Sequence, residues 1–244
     1  MKRKEYLSSE WVVPFSACIR GKNWRTTSES PLLSRSFNKR GDEVFLQETK
    51  VSDELTVVTE FFLELDALKL INRRTYIDGG VRLENSAEHS WHLAMACWSL
   101  SRSLGLKLSE EKLLKLALVH DLGEIDAGDT FLYADNRDNA HTAERECVKR
   151  LEETQGNAIS DLSALWEEQE TGTSIETKLL KAVDRLLPFL HNISSQGKTW
   201  REQGIKKSQV LKAHAFIAED FPELHSWMLG KLQLAVQEGW LSDA

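Results

Sequence analysis

The chain has 244 residues, 41% of them hydrophobic and 28% charged, a balance expected of a soluble globular protein with one domain, or one domain and an appendage. Its net charge of -7 excludes the broad basic footprint that nucleic-acid polymers or anionic membranes require, and no apolar run approaches the roughly 20 residues that span a bilayer. Cys18, Cys97 and Cys147 are odd in number and not closely paired, which argues against a disulfide framework or zinc knuckle and points to a reducing, cytoplasmic setting.

Residues 1–50 are expected to form a poorly structured extension with no chemistry of its own. They are rich in Ser, Arg, Asn and Lys and lack helical periodicity, and the basic start Met1-Lys-Arg-Lys-Glu-Tyr has no apolar segment behind it to make a secretion signal. A domain is expected over 51–244. Leu55, Val58, Phe62, Leu65 and Leu68 recur at three- and four-residue steps, predicting a helix from Ser52 or Asp53 to about 72. Asp78-Gly79-Gly80 must turn. A second helix is predicted over 88–104, capped by Asn85 or Ser86, with His89, Leu93, Ala96 and Leu100 on one stripe. A third starts at Ser109 and places Leu113, Leu116, Ala117 and His120 on one face. Further helices are predicted over 139–154, 159–169, 175–190, 207–219 and 221–237, with a loop over 192–200. Strand patterns are almost absent, so the fold class is all-α and compact.

Three stretches carry chemistry. At the end of an apolar run, Ala117-Leu-Val-His-Asp-Leu-Gly-Glu124 sets His120 beside Asp121, and Glu124 and Asp129 follow closely. Charged groups there are costly unless paired or bound to a cation, so a metal site and a helix end with solvated acids are the two readings. In Glu84-Asn-Ser-Ala-Glu-His-Ser-Trp-His92, His89 and His92 lie three apart. A zinc pair on one helix usually uses a four-residue step, so a single ligand is expected; His89 lies in line with the apolar stripe, and His92 reads as a half-buried supporting or surface histidine. Asp184 interrupts the apolar helix 178–190. Its neighbour Arg185 is expected on another face, so a metal shared with His89, His120 and Asp121 accounts for that carboxylate better than a local ion pair.

A lone His, a later His-Asp pair and a distant helical Asp resemble the HD superfamily of metal-dependent phosphohydrolases. Glu84-Asn-Ser-Ala-Glu-His89, Ala117-Leu-Val-His-Asp-Leu-Gly-Glu124 and Gly128-Asp129 resemble its branch of 5′-deoxynucleotidases and HD-domain-containing protein 2, and Leu165-Trp-Glu-Glu-Gln-Glu170 and Gly197-Lys-Thr-Trp-Arg201 resemble predicted HD hydrolases more widely. The resemblance spans about residues 53 to 237 and implies an HD-domain helical bundle. It implies metal ligation by His89, His120, Asp121 and Asp184, a mixed set suited to Mn, Co, Fe or Zn, with Mg also admitted. By the same resemblance Glu124 orients the attacking water, Asp129 assists proton transfer, and Arg74 binds the substrate phosphate, with Arg73 adjacent as the alternative. Arg82 and Lys198 are further phosphate candidates whose plainer reading is surface charge, and Asn85 and Glu88 read as groups that cap the helix and orient His89. The implied substrate is a small nucleotide, a (deoxy)ribonucleoside 5′-monophosphate, and the implied assembly is a homodimer. A phosphodiesterase, a nucleoside-polyphosphate hydrolase or a non-catalytic nucleotide-binding scaffold are the alternatives. Three departures leave the substrate open: Thr75 stands where characterised members carry Trp, the stretch 192–200 is longer, and the extension has no counterpart.

Overall fold

A computed structural model describes residues 48–134 and 137–243, with side chains from 53–134 and 141–243. The expectation for residues 1–50 falls almost wholly outside the described residues.

The first helix, α1 (Glu48–Leu65), continues as a 3-10 turn over Asp66–Leu70. Leu68 of the predicted stripe is buried, but Phe61 takes the buried place expected of Phe62, and Leu55 and Phe62 are exposed. Val58, Phe61, Leu65 and Leu68 satisfy the helical step equally well, and the neighbouring elements decide between the two faces. The sequence reading also missed a hairpin. β1 (Asn72–Ile77) and β2 (Arg82–Asn85) pair antiparallel, with Tyr76 opposite Leu83 and Ile77 opposite Arg82. They are joined at Asp78–Gly80, where all three residues have positive φ. Strands this short carry too few residues for alternation to register.

Helices fill the rest. α2 (Ser86–Ser103) begins at the end of β2 and is capped by Asn85, and α3 (Glu110–Val119) is capped by Ser109, whose Oγ accepts from the Lys112 N–H. A turn leads into α4 (Glu124–Ala127), followed by α5 (Arg137–Glu153), α6 (Leu162–Thr171) and α7 (Ile175–Ser194). α8 (Lys198–Glu202) occupies part of the predicted 192–200 loop, which shrinks to a tight connection because Gly197 takes a left-handed conformation against the Trp240 carbonyl. The predicted 207–219 helix is two pieces, α9 (Lys207–His214) and α10 (Ile217–Asp220), before α11 (Pro222–Gln237).

α7 is the spine. Its Leu179, Leu180, Val183, Leu187 and Phe189 pack with Leu93 and Cys97 of α2 and Leu113, Leu116 and Ala117 of α3 in the main core. A second apolar cluster joins Phe61 and Leu68 to Val148 and Leu151 of α5 and to Leu162 and Trp166 of α6. Cys97 and Cys147 are buried free thiols within these clusters. The packing of α2, α3 and α7 holds together the three helices from which the polar candidates of the sequence project.

Candidate metal centre

His89 sits on the first turn of α2, where backbone position is set by a reciprocal cap. The Glu88 N–H donates to Asn85 Oδ1 at 2.9 Å, and the Asn85 N–H donates to a Glu88 carboxylate oxygen at 3.2 Å. His120 and Asp121 follow the last residue of α3, and Asp184 projects from the middle of α7. The His89 and His120 rings lie with centroids 5.4 Å apart. Ligand atoms of His89, His120 and Asp121 lie within 4.8 Å of one another, and His89 Nε2 is 2.9 Å from Asp184 Oδ1. Residues drawn from more than 90 positions of sequence therefore meet at one point.

Both imidazoles have the same arrangement of nitrogens. His120 Nδ1 is 2.8 Å from the Ala117 carbonyl, which fixes the proton on that nitrogen, and its buried Nε2, 3.1 Å from Asp121 Oδ1, has no hydrogen-bond partner among the described residues. His89 Nδ1 faces Glu84 Oε2 at 3.4 Å, and its Nε2 faces the centre. Metal-binding histidines are held in this way, one nitrogen donating to a carbonyl or carboxylate and the other presenting a lone pair. Trp166 Nε1 donates to the His120 carbonyl at 3.2 Å and steadies the turn from behind.

Asp184 corrects one expectation. Arg185 does reach it: the Arg185 guanidinium pairs with Asp184 Oδ2 while Oδ1 faces His89. Adjacent helix positions diverge at Cβ, but the long Arg side chain can fold back across that divergence. The ion pair and the His89 contact thus share one carboxylate.

Arg73 lies on the inner side of this cluster. One guanidinium nitrogen is 3.0 Å from Asp121 Oδ2, 3.6 Å from Asp129 Oδ1 and 3.9 Å from Glu124 Oε1, and Nε is 3.5 Å from Glu84 Oε2. Burial opposes its charge, but Asp121, Asp129 and Glu124 hold the pKa above its usual value. The carboxylates divide. Asp121 and Asp184 are held low despite burial, the first chiefly by His120 and Arg73 and the second by Arg185 and His89. Burial and the Asp121 charge push Glu124 up to about 9, and burial raises Asp129 as well. Burial and Arg73 work against a second proton on His89, yet Asp184 and Glu84 outweigh them and push it up to about 9. The cluster is short of positive charge, and two imidazoles with two ionised carboxylates form a donor set that fits a divalent first-row metal.

The other candidates fall in different places. Arg74 is exposed and Arg73 points inward, because successive residues of β1 face opposite sides. Both border a cavity of about 350 Å³ that also contains His120, Asp121, Glu124, Asp129 and Asp184, with Phe131, Tyr133 and Phe189 as aromatic walls. Arg82 forms a bidentate pair with Glu88, and Lys198 Nζ donates to the Gly80 carbonyl at 2.7 Å while lying 3.8 Å from the centre of the Tyr76 ring. Neither lines the cavity. Thr75 is buried, and the Arg74 carbonyl accepts from Thr199 Oγ1 at 3.0 Å. Sequence reasoning gave no role to Glu84 and offered Ser86 only as an alternative cap of α2. Glu84 is 1% exposed and stands behind His89; the Ser86 hydroxyl donates to Glu124 Oε2 at 2.5 Å. Their only signal was a place in the same short motif as His89.

Comparison with known proteins gives the following. Residues 65–225 match the model of the HD domain family. A Dictyostelium discoideum protein named 5′-deoxynucleotidase HDDC2 is 26% identical over 187 residues, covering 73% of this chain and 95% of that protein. A Salmonella paratyphi B protein named 5′-deoxynucleotidase YfbR is 26% identical over 163 residues, covering 63% of this chain and 81% of that protein. Among solved structures, a predicted metal-dependent phosphohydrolase from Magnetospirillum magnetotacticum superimposes with a TM-score of 0.71 at 31% identity, covering 79% of this chain and 98% of the other. An HD-domain phosphohydrolase from Listeria innocua shares the fold, with a TM-score of 0.52 at 19% identity over 74% of this chain and 89% of the other.

Proposed function

This chain belongs to the HD domain family and is a metal-dependent phosphohydrolase of that family, and from that premise we propose that it is a 5′-nucleotidase acting on (deoxy)ribonucleoside 5′-monophosphates. The observation that carries the reading is the pair of imidazole Nε2 atoms aimed at one point between Asp121 and Asp184, beside a buried arginine and two further carboxylates. The names of the HDDC2 and YfbR relatives support the substrate class.

In this reading His89, His120, Asp121 and Asp184 hold the metal. A divalent cation in that set supplies Lewis-acid polarisation of water and of the phosphoryl group. Arg73 binds peripheral phosphate oxygens through its planar fork of donors, drawn from the Asp121 side of the cluster by the incoming anion. Arg74, on the outer side of β1, lies at the rim. Glu124, held by Ser86, orients the attacking water, and Asp129 shuttles the proton. The water oxygen forms the new bond to phosphorus, the P–O5′ bond breaks, and the water proton passes through a carboxylate to the departing 5′-oxygen. Nucleoside and inorganic phosphate result. The 350 Å³ cavity is of the size that accepts a small ligand, and Phe131 and Tyr133 offer apolar surface to a base.

The test is a matrix of metals against substrates. Chelator-stripped protein, resupplied with Mn, Co, Zn or Mg, is assayed against nucleoside mono-, di- and triphosphates and cyclic nucleotides. Phosphate release from 5′-monophosphates, abolished by chelator and by Asp121→Asn and restored by at least one metal, is expected. Turnover confined to triphosphates or cyclic nucleotides would replace this reading with a polyphosphatase or a phosphodiesterase. Tight nucleotide binding with no turnover under any metal would leave a scaffold.

A further inference from the structure

Glu84 has two oxygens and two neighbourhoods. Oε2 faces His89 and Arg73. Oε1 faces the opposite way, toward His191 Nε2 at 3.5 Å. His92, one turn after His89 on α2, brings its ring to 5.5 Å from the His191 ring, centroid to centroid. Ligand atoms of Glu84, His92 and His191 all lie within 4.8 Å of one another. They come from three elements, β2, α2 and α7, and they line a groove of about 630 Å³ that is separate from the cavity containing Asp121 and Asp184.

An ordinary ion pair does not account for this arrangement. The Glu84–His191 separation of 3.5 Å exceeds the usual 2.7–3.2 Å of a hydrogen bond. His191 Nε2 is buried and has no hydrogen-bond partner among the described residues. An unpaired buried imidazole nitrogen facing a carboxylate is costly and needs an explanation. A tetrahedral site with metal–ligand bonds of about 2.0–2.1 Å separates its ligand atoms by about 3.3 Å, which matches the Glu84–His191 spacing; small side-chain rotations of His92 close the triangle. Arg82 and Lys69, which border the groove, make their ion pairs with Glu88 and Asp66.

We propose that Glu84, His92 and His191 form a second divalent-metal site, of the two-histidine, one-carboxylate type suited to zinc, with its remaining positions open to the groove. A metal there fixes the Glu84 carboxylate, whose other oxygen stands against His89 Nδ1, and so ties the orientation of His89 to β2 and α7. The sequence reading expected a single ligand from the His89 and His92 pair. Here each serves a different site, because residues three apart on a helix lie on neighbouring faces that α7 meets at two heights.

The test counts bound metal and needs no activity. The full chain, stripped with chelator, is dialysed against buffered free zinc, and metal content is measured by plasma mass spectrometry. The double variant His92→Ala/His191→Ala is expected to retain one equivalent fewer than the unsubstituted protein, whereas Asp121→Asn retains that equivalent. Cobalt substitution provides a second readout: a visible d–d band is expected that persists in Asp121→Asn and is lost in the double variant. Circular dichroism checks folding. Should the double variant misfold, the single change His92→Asn at a half-buried position is expected to weaken zinc binding at one site by more than about 100-fold, beyond the loss of an outer-shell partner. Equal metal content in the double variant and the unsubstituted protein, or unchanged zinc affinity in His92→Asn, overturns the proposal.

Discussion

Arg73 and Arg74 are adjacent cations with opposite surroundings, and the difference is testable. Arg73 is buried among Asp121, Asp129, Glu124 and Glu84, with one face directed at the cavity, while Arg74 is exposed. If Arg73 meets the substrate phosphate, Arg73→Ala removes a preorganised charged donor from the reacting group, and kcat/KM for 5′-monophosphates is expected to fall by about 100-fold or more. Arg73→Lys keeps the charge without the fork and should recover only part of that loss. Arg74→Ala should cost less than about tenfold, as expected for an exposed charge near a site. Steady-state kinetics of the three variants decide the matter, and a larger loss from Arg74→Ala would exchange the two roles. The sequence could not separate these residues. Spacing to His89 admits either, and only the folded course of β1 turns Arg73 toward Asp121 and leaves Arg74 exposed.

At the scale of elements, the turn between α3 and α4 joins metal chemistry to packing. A Cβ added at Gly123 would lie 2.5 Å from Glu144 Cβ, 2.7 Å from its Cα and 2.8 Å from its carbonyl oxygen. The φ of Gly123 is an ordinary -61°, so its requirement is close approach of the turn to α5 and not an unusual backbone angle. Gly123→Ala is therefore expected to destabilise the fold by about 1–3 kcal/mol in denaturant unfolding, because the obstacle is backbone that cannot rotate away. Gly230, within α11, has nothing within 4 Å of its added Cβ, so Gly230→Ala should be neutral or stabilising by up to about 1 kcal/mol. The cap at Ser109 was legible from residue type, because a cap is satisfied within three residues of its own helix, whereas at α2 residue type left Asn85 and Ser86 as equal candidates and the structure selects Asn85. The hairpin, α4, α8 and the break between α9 and α10 were not legible, because each is too short for periodicity to show.

At the scale of the molecule, helices packed tightly around buried polar groups make stability depend on pH. His214 is 5% exposed and packs edge-on against Phe189; its Nδ1 donates to the Val210 carbonyl at 2.6 Å, and Arg185 and His225 are the charged or titratable groups that act on it. Burial holds its pKa below 6.5. A depressed histidine binds fewer protons folded than unfolded, so stability is full above about pH 6.5 and declines as pH falls through the folded-state value. His92 shifts the same way, and His89, pushed up to about 9, the opposite way over alkaline pH. His214→Gln should thus flatten the loss of unfolding free energy as pH falls below about 6.5; an unchanged slope would show that His214 does not titrate with folding. The sequence by itself determined the helical class, the main helices and the apolar face of α3, and it singled out the ordered set His89, His120, Asp121, Asp184, because periodicity and short motifs are local properties of a chain; on α2 the buried side runs through Leu93, Ala94 and Cys97, with Ala96 and Leu100 of the expected stripe only partly covered. Tertiary structure alone decided which face of α1 is buried, that Arg73 turns inward, that Arg185 folds back onto Asp184, and that Glu84 stands between His89 and a second pair of histidines. Those outcomes depend on segments about 50 to 100 residues apart meeting in one core, where burial removes water and each polar atom must find its partner across the chain.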